Sequence, residues 1–449
     1  MALDLAKDDI HHLYTHFLWN ALGAALVASV FGVVDMAMMG HYQGPDGPAA
    51  LAIISPFWNL VYSLGLLTGI GSSVLYAALK GKEDKFSDPN EYFTLGLILT
   101  SIISVLEAIF LNIYLEPLLV FFGAEEVTLP LCLKYLTWIR WGFPVFTFSN
   151  FLAAFLRNDK VPGLATAAVI AGGSFNILFD YIFIFTCNMG MEGAGLATIL
   201  GMCLGDGIMC SHFFSKSNSL RLVSFHSYFK KSSLILLTGF SSFFADAAMG
   251  IVNVAFNKQI LFLFPESSDS YLAIYGVLLN IYVLMQCISY GIGQAAQPLV
   301  SFNYGASLFP RVRHLLHDLL ITIGVVSLLG LVLTEGLPSY ILKIFMTTTP
   351  EVERLGPLVI RPFCSCFILL PFNVVICYYF QAILKEKAAF VVSVLRGAVI
   401  PLITIFSFPY LHSDLIWYAM VFTEILTGII SISLLIVYTK KLEKQSNPI

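Results

Sequence analysis

Charged side chains are scarce in this sequence. Asp, Glu, Lys and Arg make up 12% of its 449 residues, about half their share in a soluble domain. With 58% hydrophobic residues and a mean hydropathy of +0.83, such a chain cannot clothe a folded surface in groups that suit water, so a polytopic membrane protein is expected. Basic clusters are missing too. The net charge is −4, the pI is near 6.1, and the lysines are dispersed over short segments, which excludes a nucleic-acid surface. The eight cysteines, nearly all inside apolar runs, have neither disulfide nor zinc spacing and read as small packing residues. The opening MALDLAKDDIHH lacks the basic start of a cleavable signal peptide, so the first apolar segment is expected to be retained. His12 and His16 share a helix face but have no third ligand nearby, so no metal and no cofactor is expected.

What is present is apolar sequence in lengths of about 20 residues or more, each enough to cross a bilayer as a helix. Twelve such spans are predicted, near 14–39, 50–79, 92–118, 130–156, 162–186, 191–215, 232–264, 270–300, 315–342, 355–384, 388–409 and 413–438. The loops between them sort by charge: seventeen of the 24 lysines and arginines fall on one side, and the alternate loops hold only Lys343 and Arg354. By the positive-inside rule both termini are expected in the cytoplasm of a cell-membrane protein.

The two halves repeat. Thr68-Gly69-Ile70-Gly71, near the end of the second span, returns 222 residues later as Tyr290-Gly291-Ile292-Gly293 near the end of the eighth, and Leu51-Ala52-Ile53 returns as Leu272-Ala273-Ile274. An all-α membrane protein of twelve transmembrane helices in two pseudo-symmetric six-helix lobes is expected, with lobes 1–214 and 232–449 joined by a polar cytoplasmic linker, 215–231. Parallel repeats of this kind are a transporter architecture.

Against this apolar background a carboxylate is conspicuous, because an aspartate near the middle of a membrane helix costs about 2.5–3.5 kcal/mol on insertion scales. Asp180 lies in the fifth predicted span, one turn after Asn176 on the same helix face. At 1.5 Å per residue, Asp35 of the first span, Asp180 of the fifth and Thr198 of the sixth each lie about 8–10 Å inside the outer end of their span. Three helices thus bring polar groups to one layer. Asp206 lies deeper, about 23 Å down the sixth span, in a Gly-x-x-x-Gly setting that suits helix packing. The second half holds Asp246, Glu424, Lys258, Arg361 and Arg396, acids and bases enough to pair with one another. Asp246 and Glu424 are its secondary candidates for binding an ion or substrate.

Several segments resemble the multidrug and toxic compound extrusion (MATE) family. They are Val34-Asp35-Met36-Ala37-Met38-Met39-Gly40-His41, Arg157-Asn158-Asp159-Lys160-Val161-Pro162, Asn176 through Phe185 with Gly193-Ala194-Gly195-Leu196-Ala197-Thr198, and Gly293-Gln294-Ala295-Ala296-Gln297-Pro298 with Asn303-Tyr304-Gly305-Ala306. The resemblance covers essentially the whole chain. It implies an antiporter that exports amphipathic, often cationic drugs in exchange for H+ or Na+, working as a monomer in the lipid bilayer. In prokaryotic DinF-like and MepA-like members, positions matching Asp35, Asn176, Asp180 and Thr198 form the ion-responsive cluster of the first lobe. NorM-like members use acids of the seventh and tenth spans, and the tenth predicted span here has none.

Two rivals bear on the same residues. The fold could export a metabolite or flip a lipid-linked substrate, an option that Arg140, Arg361 and Arg396 leave open. An intramembrane aspartyl protease built on Asp180 and Asp206 would need Gly-x-Gly-Asp, where this chain has Cys203-Leu204-Gly205-Asp206, and its two acids would lie at different depths. An enzyme is therefore not expected.

Overall fold

Within hydrocarbon every backbone N–H and C=O must be satisfied inside its own segment, which leaves helices as the way to fold apolar runs of this length. The computed structural model describes residues 4–44, 46–82, 87–346 and 349–446 and is helical nearly throughout. In the first half the long helices are α1 (Ile10–Gln43), α2 (Asp46–Lys82), α3 (Asn90–Ile113), α5 (Thr128–Asn158), α6 (Pro162–Asp180) and α7 (Met191–Cys210), with a short α4 (Leu115–Phe121) after α3. In the second half come α8 (Tyr228–Leu263), α9 (Ser268–Gly305), α10 (Phe309–Gly336), a short α11 (Pro338–Phe345), the pair α12 (Pro350–Cys364) and α13 (Leu370–Ala382), the pair α14 (Glu386–Val394) and α15 (Ile400–Ser407), and α16 (Ala419–Ser446). Counting each of those pairs as one crossing makes twelve long helical segments, ten of which contain a window long and apolar enough to cross a membrane.

Two predicted spans run past their true ends. The third stops at Tyr114 and the ninth at Leu337, and a separate short helix follows each. Pro338 opens the second of these short helices; its fixed φ and missing N–H suit a helix start and not an interior. The same extra element thus follows the third long helix of both halves, a repeat feature that hydropathy alone does not separate from the span before it.

Outward faces agree with lipid as the surrounding medium. On α3, Ile102, Val105, Leu106, Ile109, Phe110 and Ile113 are all exposed, at the i, i+3, i+4 spacing of one helix face. A stripe of this kind facing water would be an aggregation site.

The chain forms two compact units: one comprises Met1–Ala6 and Thr15–Phe243, the other Lys7–Tyr14 and Phe244–Ile449. Within the first, Gly71 of α2 lies against the carbonyl of Ile235, and Gly239 against that of Leu67. Each site lacks room for a Cβ, so the start of α8 is fitted closely to α2. In the sixth-span sequence Gly201-Met202-Cys203-Leu204-Gly205, a Cβ on Gly201 would meet the Gly172 carbonyl oxygen at 2.6 Å and one on Gly205 the Ala168 carbonyl oxygen at 3.2 Å. The motif packs α7 against α6, as small-residue spacing in membrane helices commonly does.

The polar stretch after α7 is fastened to this unit. Leu220 is buried in a cluster with Tyr76, Phe155 and Met209, and the backbone N–H groups of Arg221 and Val223 donate to Asn90 Oδ1 and Thr94 Oγ1, both at 3.0 Å. Its anchor is Asp159, the residue after α5. Asp159 Oδ2 is 2.7 Å from His212 Nε2 and accepts from the Ser219 N–H at 2.9 Å, while Oδ1 accepts from the Ser219 hydroxyl and from Lys80 Nζ at 3.4 Å. Burial alone would push the Asp159 carboxyl up. The hydrogen bonds from His212 and Ser219, helped by the Lys80 charge, outweigh burial and hold it below the ordinary carboxylate range.

Because the folded protein holds Asp159 below its unfolded value, its contribution to stability is complete above the ordinary carboxylate range and is lost as pH falls through the folded value. Asp159→Asn should cost on the order of 3–5 kcal/mol at neutral pH, as for one partner removed from a buried charged network. Thermal melts of the purified protein across pH should show the gap between wild type and variant narrowing in acid.

Candidate functional site

The outer-half layer of the first unit is assembled by α1, α5, α6 and α7. The close backbone approach of α6 and α7 through Gly172 and Gly201 sets Asn176 beside Thr198, and Asn176 Nδ2 donates to Thr198 Oγ1 at 3.4 Å. The Thr198 hydroxyl donates back to the Ala194 carbonyl at 2.9 Å, so its oxygen is free to accept. Tyr135 of α5 closes the circuit: its hydroxyl donates to Asp35 Oδ2 at 3.3 Å and lies 3.5 Å from Thr198 Oγ1. Asp180 is wholly buried and interacts electrostatically with Asp35 and with Tyr135. The structure therefore brings together the four residues selected from sequence, Asp35, Asn176, Asp180 and Thr198.

Three carboxylate oxygens of this cluster make no hydrogen bond of normal distance and angle among the described residues, both of Asp180 and Oδ1 of Asp35, although the Asn176 amide one turn away acts on the Asp180 carboxylate. Buried polar atoms are rarely left so. Asp180 also closes the α-helical part of its segment, which continues as a π-helical turn over Tyr181–Thr186. Such turns shift the register of backbone hydrogen bonds and are frequent at functional sites.

Tyr135 was not among the residues selected from sequence. Its depth was legible: it lies seven residues into α5, about 10 Å by the same helical rise. Membrane tyrosines usually report an interface, and that association hides a buried one.

The remaining acids have other company. Asp206 Oδ1 accepts from the Ser149 hydroxyl and Glu107 Oε2 from Thr147 at 2.8 Å. In the second unit Arg396 Nε donates to Glu424 Oε1 at 2.8 Å and Asn373 Nδ2 to Glu424 Oε2 at 2.7 Å. The pairing expected between second-half charges thus holds for Arg396 and Glu424. Asp246 Oδ1 instead accepts from Tyr290 at 2.7 Å. Lys258 is exposed, and Arg361, its side chain about half exposed, sits 4.0 Å from the partly buried Glu335.

The sequence pattern of the MatE family matches residues 21–182 and 247–406. The chain belongs to this family. It is similar to the multidrug export protein MepA of Staphylococcus aureus strain MSSA476, with 21% identity over 92% of this chain and 90% of that one. The MepA protein of Staphylococcus saprophyticus is 21% identical over 88% of this chain and 86% of its own length. Among solved structures, an outward-facing MATE transporter of the MOP superfamily superposes with a TM-score of 0.88 at 19% identity, covering 99% of both chains. As a MatE family member the chain is a multi-pass membrane transporter and not an enzyme.

If Tyr135 links Asp35 to Thr198 functionally, Tyr135→Phe should remove one hydrogen bond to a charged group, about 1.5–3 kcal/mol, and slow substrate efflux about tenfold or more in vesicles. Membrane insertion, followed by detergent-solubilised yield and gel-filtration profile, should stay as in wild type.

Proposed function

We propose that this transporter is a secondary active antiporter that exports amphipathic, often cationic compounds in exchange for protons, with sodium as the alternative coupling ion. The observation that carries this reading is the pair Asp35 and Asp180, two carboxylates in electrostatic contact inside one membrane layer, with three oxygens that make no hydrogen bond of normal distance and angle among the described residues. Burying like charges without compensation is costly, so the pair calls for a proton, a sodium ion or a cationic substrate. The names of the MepA relatives support drug export as the task.

In this reading Asp35, Asn176, Asp180 and Thr198 form the coupling site, and Asp246 and Glu424 are secondary candidates in the second lobe. A proton arriving from outside neutralises the pair and lets the helices repack. A bound cationic compound competes for the same negative charge, so uptake of one expels the other. The two lobes, 1–214 and 232–449, alternate access around the linker 215–231, and the chain acts as a monomer with both termini in the cytoplasm. One proton falling through about 100 mV supplies roughly 2.3 kcal/mol and one pH unit adds about 1.4 kcal/mol. Together these would concentrate a neutral compound several-hundred-fold.

Asp180→Asn should abolish proton-driven ethidium efflux in vesicles while the protein still inserts; undiminished efflux would remove Asp180 from the mechanism. An imposed sodium gradient at fixed pH should leave wild-type transport unchanged, and efflux that follows sodium would reassign the coupling ion.

A further inference from the structure

Three large apolar side chains stand out from the polar stretch between α7 and α8: Phe214 is 93% exposed, Leu222 70% and Phe229 86%. Each lies within two residues of a contact to the start of α3. Phe213, beside Phe214, packs on Phe93 with ring centroids 6.1 Å apart. Arg221 and Val223, on either side of Leu222, are the residues whose N–H groups bond to Asn90 and Thr94. Lys231, two residues after Phe229, pairs with Glu91 and lies 5.9 Å from the centre of the Tyr92 ring. The three apolar side chains are thus carried around one helix end.

That helix end continues the lipid-facing stripe of α3. Thr94 lies about three turns before Val105 on the same face, yet Thr94 is buried where Val105 is exposed. Val223 bonds to Thr94, so the polar stretch takes over from lipid along the stripe. The helix has 24 residues, about 36 Å of rise against a hydrocarbon core of about 30 Å. A helix of that length with one end in a headgroup region starts in the other. Basic groups accompany the apolar ones there: Lys216, Arg221 and Lys230 are exposed, and none forms an ion pair among the described residues. Of the described acids at this helix start, Glu91 is taken by Lys231, and Asp88 Oδ1 accepts from the Asn90 N–H at 2.8 Å.

We infer that the stretch from Phe214 to Lys231 is a binding surface for anionic phospholipid headgroups, with Phe214, Leu222 and Phe229 at the edge of the acyl chains and Lys216, Arg221 and Lys230 on lipid phosphates. An anionic leaflet attracts basic side chains within a Debye length of it, and apolar side chains beside them add burial, the two signals that together make a stable membrane contact. Asp159 and the burial of Leu220 hold the stretch to the first unit, so the patch meets lipid already formed. The inference goes beyond the coupling reading and does not depend on it, since it concerns lipid bound at equilibrium with no gradient.

The test places a reporter in the patch: Phe229→Trp in the full chain, reconstituted in phosphatidylcholine vesicles that contain brominated phosphatidylglycerol or, at the same mole fraction, brominated phosphatidylcholine. Bromine quenches indole at contact range, so the emission that the substitution adds over wild type reports which lipid sits there. Phosphatidylglycerol should be preferred by at least about fivefold, the equivalent of roughly 1 kcal/mol for one basic side chain at an anionic surface. Adding Lys216→Gln, Arg221→Gln and Lys230→Gln changes only exposed side chains and should bring the two lipids to near equality. Lys440→Gln with Lys444→Gln, exposed positions near the end of α16, should leave the preference unchanged. The inference is overturned if neither lipid quenches the added emission, if both quench it equally, if the preference survives the triple substitution, or if the α16 variant loses it as well. Loss of the preference to excess soluble glycerol phosphate at constant ionic strength would also overturn it, by marking a site for free phosphate esters.

Discussion

The constraint behind the whole structure is that a hydrocarbon medium offers nothing to a polar group. Backbone amides must pair within their own helix, which is why nearly every described apolar run is helical. Side chains obey the same rule, and their solutions define the molecule's polar geography. Ser72, Ser289 and Thr334 return their hydroxyls to carbonyls one turn back. Arg396 and Glu424 neutralise each other. Asp180 stands out because neither of its oxygens makes a hydrogen bond of normal geometry among the described residues, where Asp35, Glu107 and Asp246 each leave one oxygen so.

The two halves answer that constraint with opposite chemistry. In each, the fifth spanning segment contains a π-helical turn, Tyr181–Thr186 in the first and Leu395–Val399 in the second. The first turn follows directly on Asp180, and the second contains Arg396. An internal repeat thus keeps its backbone irregularity and changes the sign of the charge beside it. The first unit is left with acids that lack a cation, and the second with a cation whose acid is supplied from α16.

Much of this was legible in the sequence because membrane helices follow simple rules. Length and hydropathy located the twelve crossings, and a fixed rise per residue placed Asp35, Asp180 and Thr198 at one level before any coordinates. Hydropathy did not separate the breaks at Tyr114 and Leu337, since Leu, Ile and Phe continue through both short helices, although Gly336 and Pro338 mark the second break in the sequence. Tyr135 escaped notice because nothing in a tyrosine's identity says whether it faces lipid headgroups or a buried carboxylate. The joint 215–231 reads as a polar linker by composition, yet Asp159 and Lys80 bind its Ser219, contacts between residues 60 or more positions apart that no local pattern reveals.

The sequence by itself determined the medium, the helical class, the repeat and the depth of each buried charge, since all of these follow from composition and from distance along a helix. Tertiary structure alone decided azimuth and partnership: which face of each helix turns inward, and which neighbour it meets there. It set Tyr135 between Asp35 and Thr198 and Glu424 behind Arg396. The physical reason is that depth is fixed by helical rise, whereas contact depends on how helices pack around one another, and close packing between segments distant in sequence is a property of the assembled fold.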